Sequence, residues 1–297
     1  SVNIPTQVNT AYVKLISGGA FSDATSLTSI TIPDSVTSIG ESAFESCESL
    51  RSVTIPDSVT SIGESAFSYC TSLISITIPD SITAIRRETF RECSNLISIT
   101  IPDNVTSIGY EAFDNCTALT SVSLSSNLAE IGYYAFDNCT SLNNITIPDS
   151  VTSILDGSFR DCESLTSITI PDSVTSIGAL AFRNCTNLTN ISIPDSVTSI
   201  GNAAFYNCTS LTNITLPYRF VGSTGFFGIS ADTEITADFN EVSEGLLANT
   251  NFLDSISEDV TFDSSTISQA IADEVQARVD ADVLLQANID AVAVSMQ

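Results

Sequence analysis

Residues 32–67 read "IPDSVTSIGESAFESCESLRSVTIPDSVTSIGESAF", a stretch that begins to repeat itself before it ends. The period is 23 residues, and it continues well beyond this quotation. Phe21, Phe44, Phe67, Phe90, Phe113, Phe136, Phe159, Phe182 and Phe205 are evenly spaced, as are all eight cysteines from Cys47 to Cys208. A fixed period of this length is the mark of stacked coils. Within the unit that starts at Leu50, the spacing of Leu50, Val53 and Ile55 predicts a short strand with these side chains inward. Pro56 ends the strand by withholding a backbone donor, and Asp57 is placed to accept backbone N–H groups in the turn. Val59 and Ile62 predict a second extended side. Glu64 to Ser68, after Gly63, is helix-tolerant and turns Ala66 and Phe67 inward. With Cys70 this makes eight inward positions, too few for a core, so each coil must bury itself against its neighbours.

The side chains between the inward ones line an outer face of hydroxyls and amides. One column runs Ser29, Ser52, Ser75, Ser98, Ser121, Asn144, Ser167, Asn190, Asn213; the next holds Thr31, Thr54, Thr77, Thr100, Ser123 and their successors. Such a face reads as a solvated strand surface, as a broad adhesive surface for protein or glycan, or as a lattice that orders ice. The column after Leu breaks the monotony with Arg51, Ile74 and Ile97 on consecutive coils, between Thr28 and Thr120. Two exposed aliphatics beside an arginine read either as drift within the repeat or as the centre of a contact patch. The candidate ligand-binding residues are therefore Arg51, Ile74, Ile97, Ser52, Ser75, Ser98, Thr54, Thr77 and Thr100. A second irregular stretch, "IRRETFREC", puts Arg86, Arg87 and Arg91 in one coil, either as a docking point for an acidic partner or as a solvated edge.

Composition excludes several classes of function. Net charge is −26, with one lysine and eight arginines, so no basic surface exists to neutralise phosphates; neither nucleic acid nor an anionic membrane is an expected partner. No stretch has the roughly 18 apolar residues of a membrane span, and no membrane insertion is expected. Beginning at Ser1, the chain is expected to have lost its natural start, with any secretion signal upstream. There is no histidine, hence no Ser-His-Asp triad and no imidazole for zinc. Glu41 with Glu45 has the residue types of a glycosidase pair, yet every coil repeats the same surroundings and none is set apart as a cleft. No catalytic residue, no metal site and no cofactor is expected. The one metal alternative is Ca²⁺ at the column Asp34, Asp57, Asp80, Asp103, Asp149, Asp172, Asp195, where each Asp is also explained as a turn cap. Cysteines in one column point the same way and cannot pair with one another, so they read as small buried hydrophobes. Asn115, Asn138, Asn184 and Asn207 form glycosylation sequons that have meaning only in a eukaryotic secretory pathway.

The run "LTSITIPDSVTSIG..AF..C" resembles the BspA-like leucine-rich repeat family of surface proteins, over about residues 11–217. That resemblance implies a leucine-rich repeat solenoid of short strands and short helical turns, an extracellular or cell-surface location, and non-enzymatic adhesion to a protein or glycan on another cell or matrix. Residues 1–24 read as a capping coil, with Thr10-Ala11 in place of Pro-Asp, and residues 25–217 as the array. Two further irregularities are Ser125-Ser126 in place of Pro-Asp and Leu155 in place of Gly.

Past Pro217 the register dissolves, and residues 218–262 read as a C-terminal cap. Residues 263–297 read as a long α-helix opened by the capping-box spacing of Thr266 and Gln269. Its apolar stripe, Ile271, Val275, Val279, Val283, Leu285, Ile289 and Val292, needs a partner and predicts self-association, with a homotrimer favoured, or else packing back on the array. "ADEVQARVDADVLLQANIDA" resembles the coiled-coil stretches of viral tail fibres. That implies an alternative role as a fibre or filament subunit at a virion surface, assembled through the helix.

Overall fold

The computed structural model describes residues 1–220, apart from residue 10, together with the strand Glu234–Asp238. One compact unit covers Ser1–Leu246; the second, Leu247–Gln297, lies outside the described residues, and with it the C-terminal helix and its oligomerisation stripe.

Each coil has three walls. The first carries short parallel strands in register 23 residues apart, such as Ser29–Thr31 on Ser52–Thr54, with Ile30 facing Val53, and Ser52–Thr54 on Ser75–Thr77. The second carries two-residue strands, such as Ser38–Ile39 on Ser61–Ile62. The eight inward positions of the unit, Leu50 through Cys70, are all buried, as the pattern predicts. The Phe rings stack in one column with centroids 5.2 to 5.7 Å apart and planes within 15°. Beside them runs a thiol ladder in which each Cys Sγ donates to the Phe carbonyl 26 residues earlier, as in Cys116 to Phe90 at 3.2 Å. The cysteines are unpaired and buried.

The third wall differs from expectation. Its segment is a run of turns rather than a helical turn, because two residues per coil take left-handed backbone conformations: Ser42 and Ser46, Glu111 and Asn115, Leu180 and Asn184. Glu45 N–H bonds back to the Ser42 carbonyl, while the N–H groups of Ser42, Phe44 and Ser46 reach the next coil at Glu64, Ala66 and Ser68. Bonds that would close a helix are thus directed between coils. Asn tolerates the left-handed region best of the non-glycine residues. That accounts for Asn115, Asn138, Asn184 and Asn207 without glycosylation, and the Asn138 amide also donates to Asn115 of the preceding coil.

The turn after the first wall also departs from the sequence reading. Val N–H bonds to Pro carbonyl close it, Val36 to Pro33 and Val59 to Pro56, both at 3.0 Å. The Ser just before that Val donates its hydroxyl to the previous coil, Ser58 to the Val36 carbonyl at 2.6 Å. Backbone and serine hold the turn. Asp103 does accept hydrogen bonds, from the Ser126 N–H and Oγ one coil on, where Ser125-Ser126 replaces Pro-Asp.

Both ends of the array shift register. Val2 pairs with Ile30 but Leu15 pairs with Ser38, offsets of 28 and 23 residues. Pro5, rather than Thr10, therefore stands where Pro33 does, and the extra residues form the hairpin of Gln7–Val8 with Ala11–Tyr12. Beyond Pro217 one more strand, Glu234–Asp238, joins Asn213–Pro217 in parallel, so the ladder outlasts the visible repeat.

The glycine after the second wall has a steric reason. A Cβ on Gly63 would sit 2.4 Å from backbone atoms of Gly40 and Glu41, and one on Gly201 would sit 2.2 Å from Ala179 N. Where Arg86 takes that position, the ladder of second-wall strands is interrupted between Ser61–Ile62 and Ala84–Ile85. Where Leu155 takes it, pairing with the preceding strand falls to Ile131 with Ile154 alone. Both coils then carry a buried hydroxyl three residues on, and Thr89 and Ser158 each donate to the displaced carbonyl at 2.8 Å.

Candidate recognition face and the charged turn wall

The strands of the first wall present Ser52, Thr54, Ser75, Thr77, Ser98 and Thr100 to solvent, with Val53, Ile76 and Ile99 buried between them. Arg51, Ile74 and Ile97 lie beside this face on successive coils. A direct backbone ladder joins them: Ile74 N–H to the Arg51 carbonyl at 3.0 Å, Ile97 N–H to the Ile74 carbonyl at 3.2 Å. The structure therefore brings all nine candidate residues together.

The same column shows why the two isoleucines stand out. Thr120, Thr189 and Thr212 each donate their hydroxyl to the preceding coil, at 3.1 to 3.2 Å. Ile74 and Ile97 make no such bond, and they leave 42% and 49% of their surface exposed. An exposed apolar pair with an arginine at its edge has the chemistry of an interface anchor.

The arginines of "IRRETFREC" behave otherwise. Arg87 pairs with Glu88 at 2.6 Å and lies over the Tyr110 ring. Arg91 reaches Asp114 at 3.0 Å and Glu111 at 3.2 Å, and donates to the Tyr69 hydroxyl at 2.8 Å. These two charges are answered within the wall. A docking point for an acidic partner keeps only Arg86, which is exposed. Glu88 lies in the quoted stretch itself, whereas Tyr69, Tyr110, Glu111 and Asp114 come from neighbouring coils that depart from the repeat individually, which no sequence pattern marked.

Farther along the wall, Arg160 grips Asp137 through two bonds, 2.9 and 2.5 Å. Burial pushes the Asp137 carboxyl up to about 6, with Arg160 opposing and Asp114 adding to the rise. Asp114 is raised in the same direction, also chiefly by burial, with Arg91 and Asn115 opposing. A carboxyl raised on folding contributes stability that is complete below its unfolded value near 4 and is lost as pH rises through 6. Melting temperature is therefore expected to rise by a few degrees between about pH 7 and pH 5. In Asp137→Asn that rise should shrink; an equal rise in the variant would assign it to general charge relief instead.

Among the described residues, no group of three or more acids or cysteines is arranged to hold a metal ion, and no helix is long and apolar enough to cross a membrane.

Stacked coils with parallel strands on one wall and an outward row of hydroxyls define a leucine-rich repeat solenoid. The model of the BspA type leucine rich repeat region matches residues 14–143 and 129–254, with 6 copies, and the chain belongs to that family. Among solved structures, a leucine-rich repeat protein from Bacteroides ovatus is 25% identical, with 80% of this chain and 91% of that one covered and a TM-score of 0.38. A leucine rich cell surface protein from Faecalibacterium prausnitzii is 26% identical, covering 86% and 90%, with a TM-score of 0.42. The pneumococcal vaccine antigen PcpA is 22% identical, covering 82% and 79%, with a TM-score of 0.49. No curated protein matches the chain. The family match ends at residue 254, short of the tail-fibre-like stretch, and that resemblance gains no support.

Proposed function

We propose that the chain is a non-enzymatic extracellular recognition protein whose first wall binds a protein or glycan on another cell or matrix. The observation that carries this reading is the contiguous pair of exposed isoleucines, joined to Arg51 by backbone bonds and set in a field of outward hydroxyls. Membership of the BspA type family supports a cell-surface location. The chemistry of the chain supports a binding role: it has no histidine, and its thiols are buried and raised in pKa. A panel of immobilised matrix proteins and glycans tests the reading. The double variant Ile74→Ser and Ile97→Ser is expected to weaken the retained interaction at least about tenfold with the fold intact. Equal binding by the variant would contradict it.

Assembly is a separate proposal, supported by the apolar stripe Ile271 to Val292. Light-scattering mass is expected to give a trimer for the intact chain and a monomer for a version ending at Phe262. A monomeric intact chain would contradict that proposal.

A further inference from the structure

The departures from the repeat are not scattered evenly. In the column that begins Glu41, Glu64, Arg87, the following coils carry Tyr110, Tyr133, Asp156, Ala179 and Asn202. Long charged side chains thus give way to an aromatic pair and then to short groups. A groove of about 340 Å³ opens there, along the line where the second wall meets the turns, and Tyr133 and Asp156 both line it. Its floor includes Gly178 and Gly201, which must stay bare: a Cβ on Gly178 would lie 2.4 Å from Asp156 Oδ1, and one on Gly201 2.2 Å from Ala179 N. Ser176 and Ser199 also line it.

Two groups give the groove its chemistry. Tyr133 is 47% exposed, lines the groove and makes no ring or cation contact among the described residues, whereas Tyr110 and Tyr134 are already covered by Arg87 and Arg160. Asp156 is held in place because its Oδ1 accepts the Ala179 N–H at 2.8 Å, which leaves Oδ2 to accept further bonds. Leu155 and Gly157 complete the departure. Leu155 stands where strand pairing with the preceding coil falls to one residue pair, and Gly157 takes a left-handed conformation under the Tyr134 ring, 2.3 Å from where its Cβ would stand. An aromatic face, a fixed carboxylate and two serines on a bare backbone floor match the apolar face and hydroxyl rim of a sugar ring. Among the described residues the carboxylate has no cationic partner within salt-bridge range, and the protein carries −26, so an anionic sugar or a phosphate is disfavoured.

We infer that this groove is a binding site for a neutral hexose unit, stacked on Tyr133 and hydrogen-bonded by Asp156, on a different wall from the Ser/Thr face. Its volume suits one or two sugar rings, so affinity for a disaccharide is expected to be weak. Saturation-transfer NMR on the intact chain with lactose, cellobiose, maltose and mannobiose, and with sialyllactose as the anionic comparison, tests it. Transfer to at least one neutral disaccharide is expected, falling at least about tenfold in Tyr133→Ala and more modestly in Asp156→Asn. Tyr133 is a surface side chain, and an unchanged melting temperature in its variant separates lost binding from lost fold. Silence from every neutral disaccharide, preference for sialyllactose, or full binding by Tyr133→Ala would each overturn the inference.

Discussion

Phe113→Ala is expected to destabilise the array by about 3–5 kcal/mol, read as a fall in the urea midpoint. Phe113 is fully buried, and its ring lies between those of Phe90 and Phe136 at 5.4 and 5.2 Å. Removing it forfeits the transfer of the ring out of water and leaves a cavity. It also breaks two stacked pairs, each worth roughly 0.5–1.5 kcal/mol beyond area. Because coils touch only their neighbours, the loss cannot be spread over a shared core. Phe21→Ala should cost clearly less, since Phe21 is half-buried in the first coil and stacks on Phe44 alone. Equal losses at the two positions would show that the column does not carry the array.

The second large effect is chemical. All eight cysteines are expected to resist alkylation in the native protein and to react completely once denatured. Burial raises every thiol: Cys47 is pushed up to about 11 and Cys208 to about 12, and the interior thiols lie well above their ordinary value. Thiolate is the reactive form, so native labelling near pH 8 should fall by orders of magnitude below that of the unfolded chain. Each Sγ–H also has its partner in a Phe carbonyl of an earlier coil, as for Cys139 with Phe113 at 3.2 Å. Rapid native labelling of an interior thiol such as Cys139 would contradict the burial. Cys47, the least raised of the eight, should be the first to react on partial unfolding.

The sequence makes the solenoid legible because repetition multiplies a weak local signal. One copy of L-x-x-V-x-I-P-D is a loose pattern, whereas copies in register leave the eight inward positions little freedom, and all eight are buried. The exposed isoleucine pair was legible for the same reason, since Ile74 and Ile97 interrupt a column that is otherwise Thr, Arg and Asn. The third wall was not. Its residues suit a helical turn locally, and only the next coil, by offering carbonyls to Ser42, Phe44 and Ser46, draws the backbone into left-handed positions. The ion pairs of Arg91 and Arg160 escaped notice because both partners depart from the repeat at once. Pro5 was missed because the inserted hairpin moves it out of phase with the period.

Hydroxyl-radical footprinting of the protein, alone and with whichever matrix protein or glycan the panel retains, tests the recognition claim most directly. Exposed isoleucines oxidise readily, so Ile74 and Ile97 report on their own burial. Their oxidation is expected to fall several-fold on binding, while Tyr206, exposed on the turn wall, is unchanged. Undiminished oxidation of Ile74 and Ile97, with protection elsewhere, would place recognition on another surface and contradict the account.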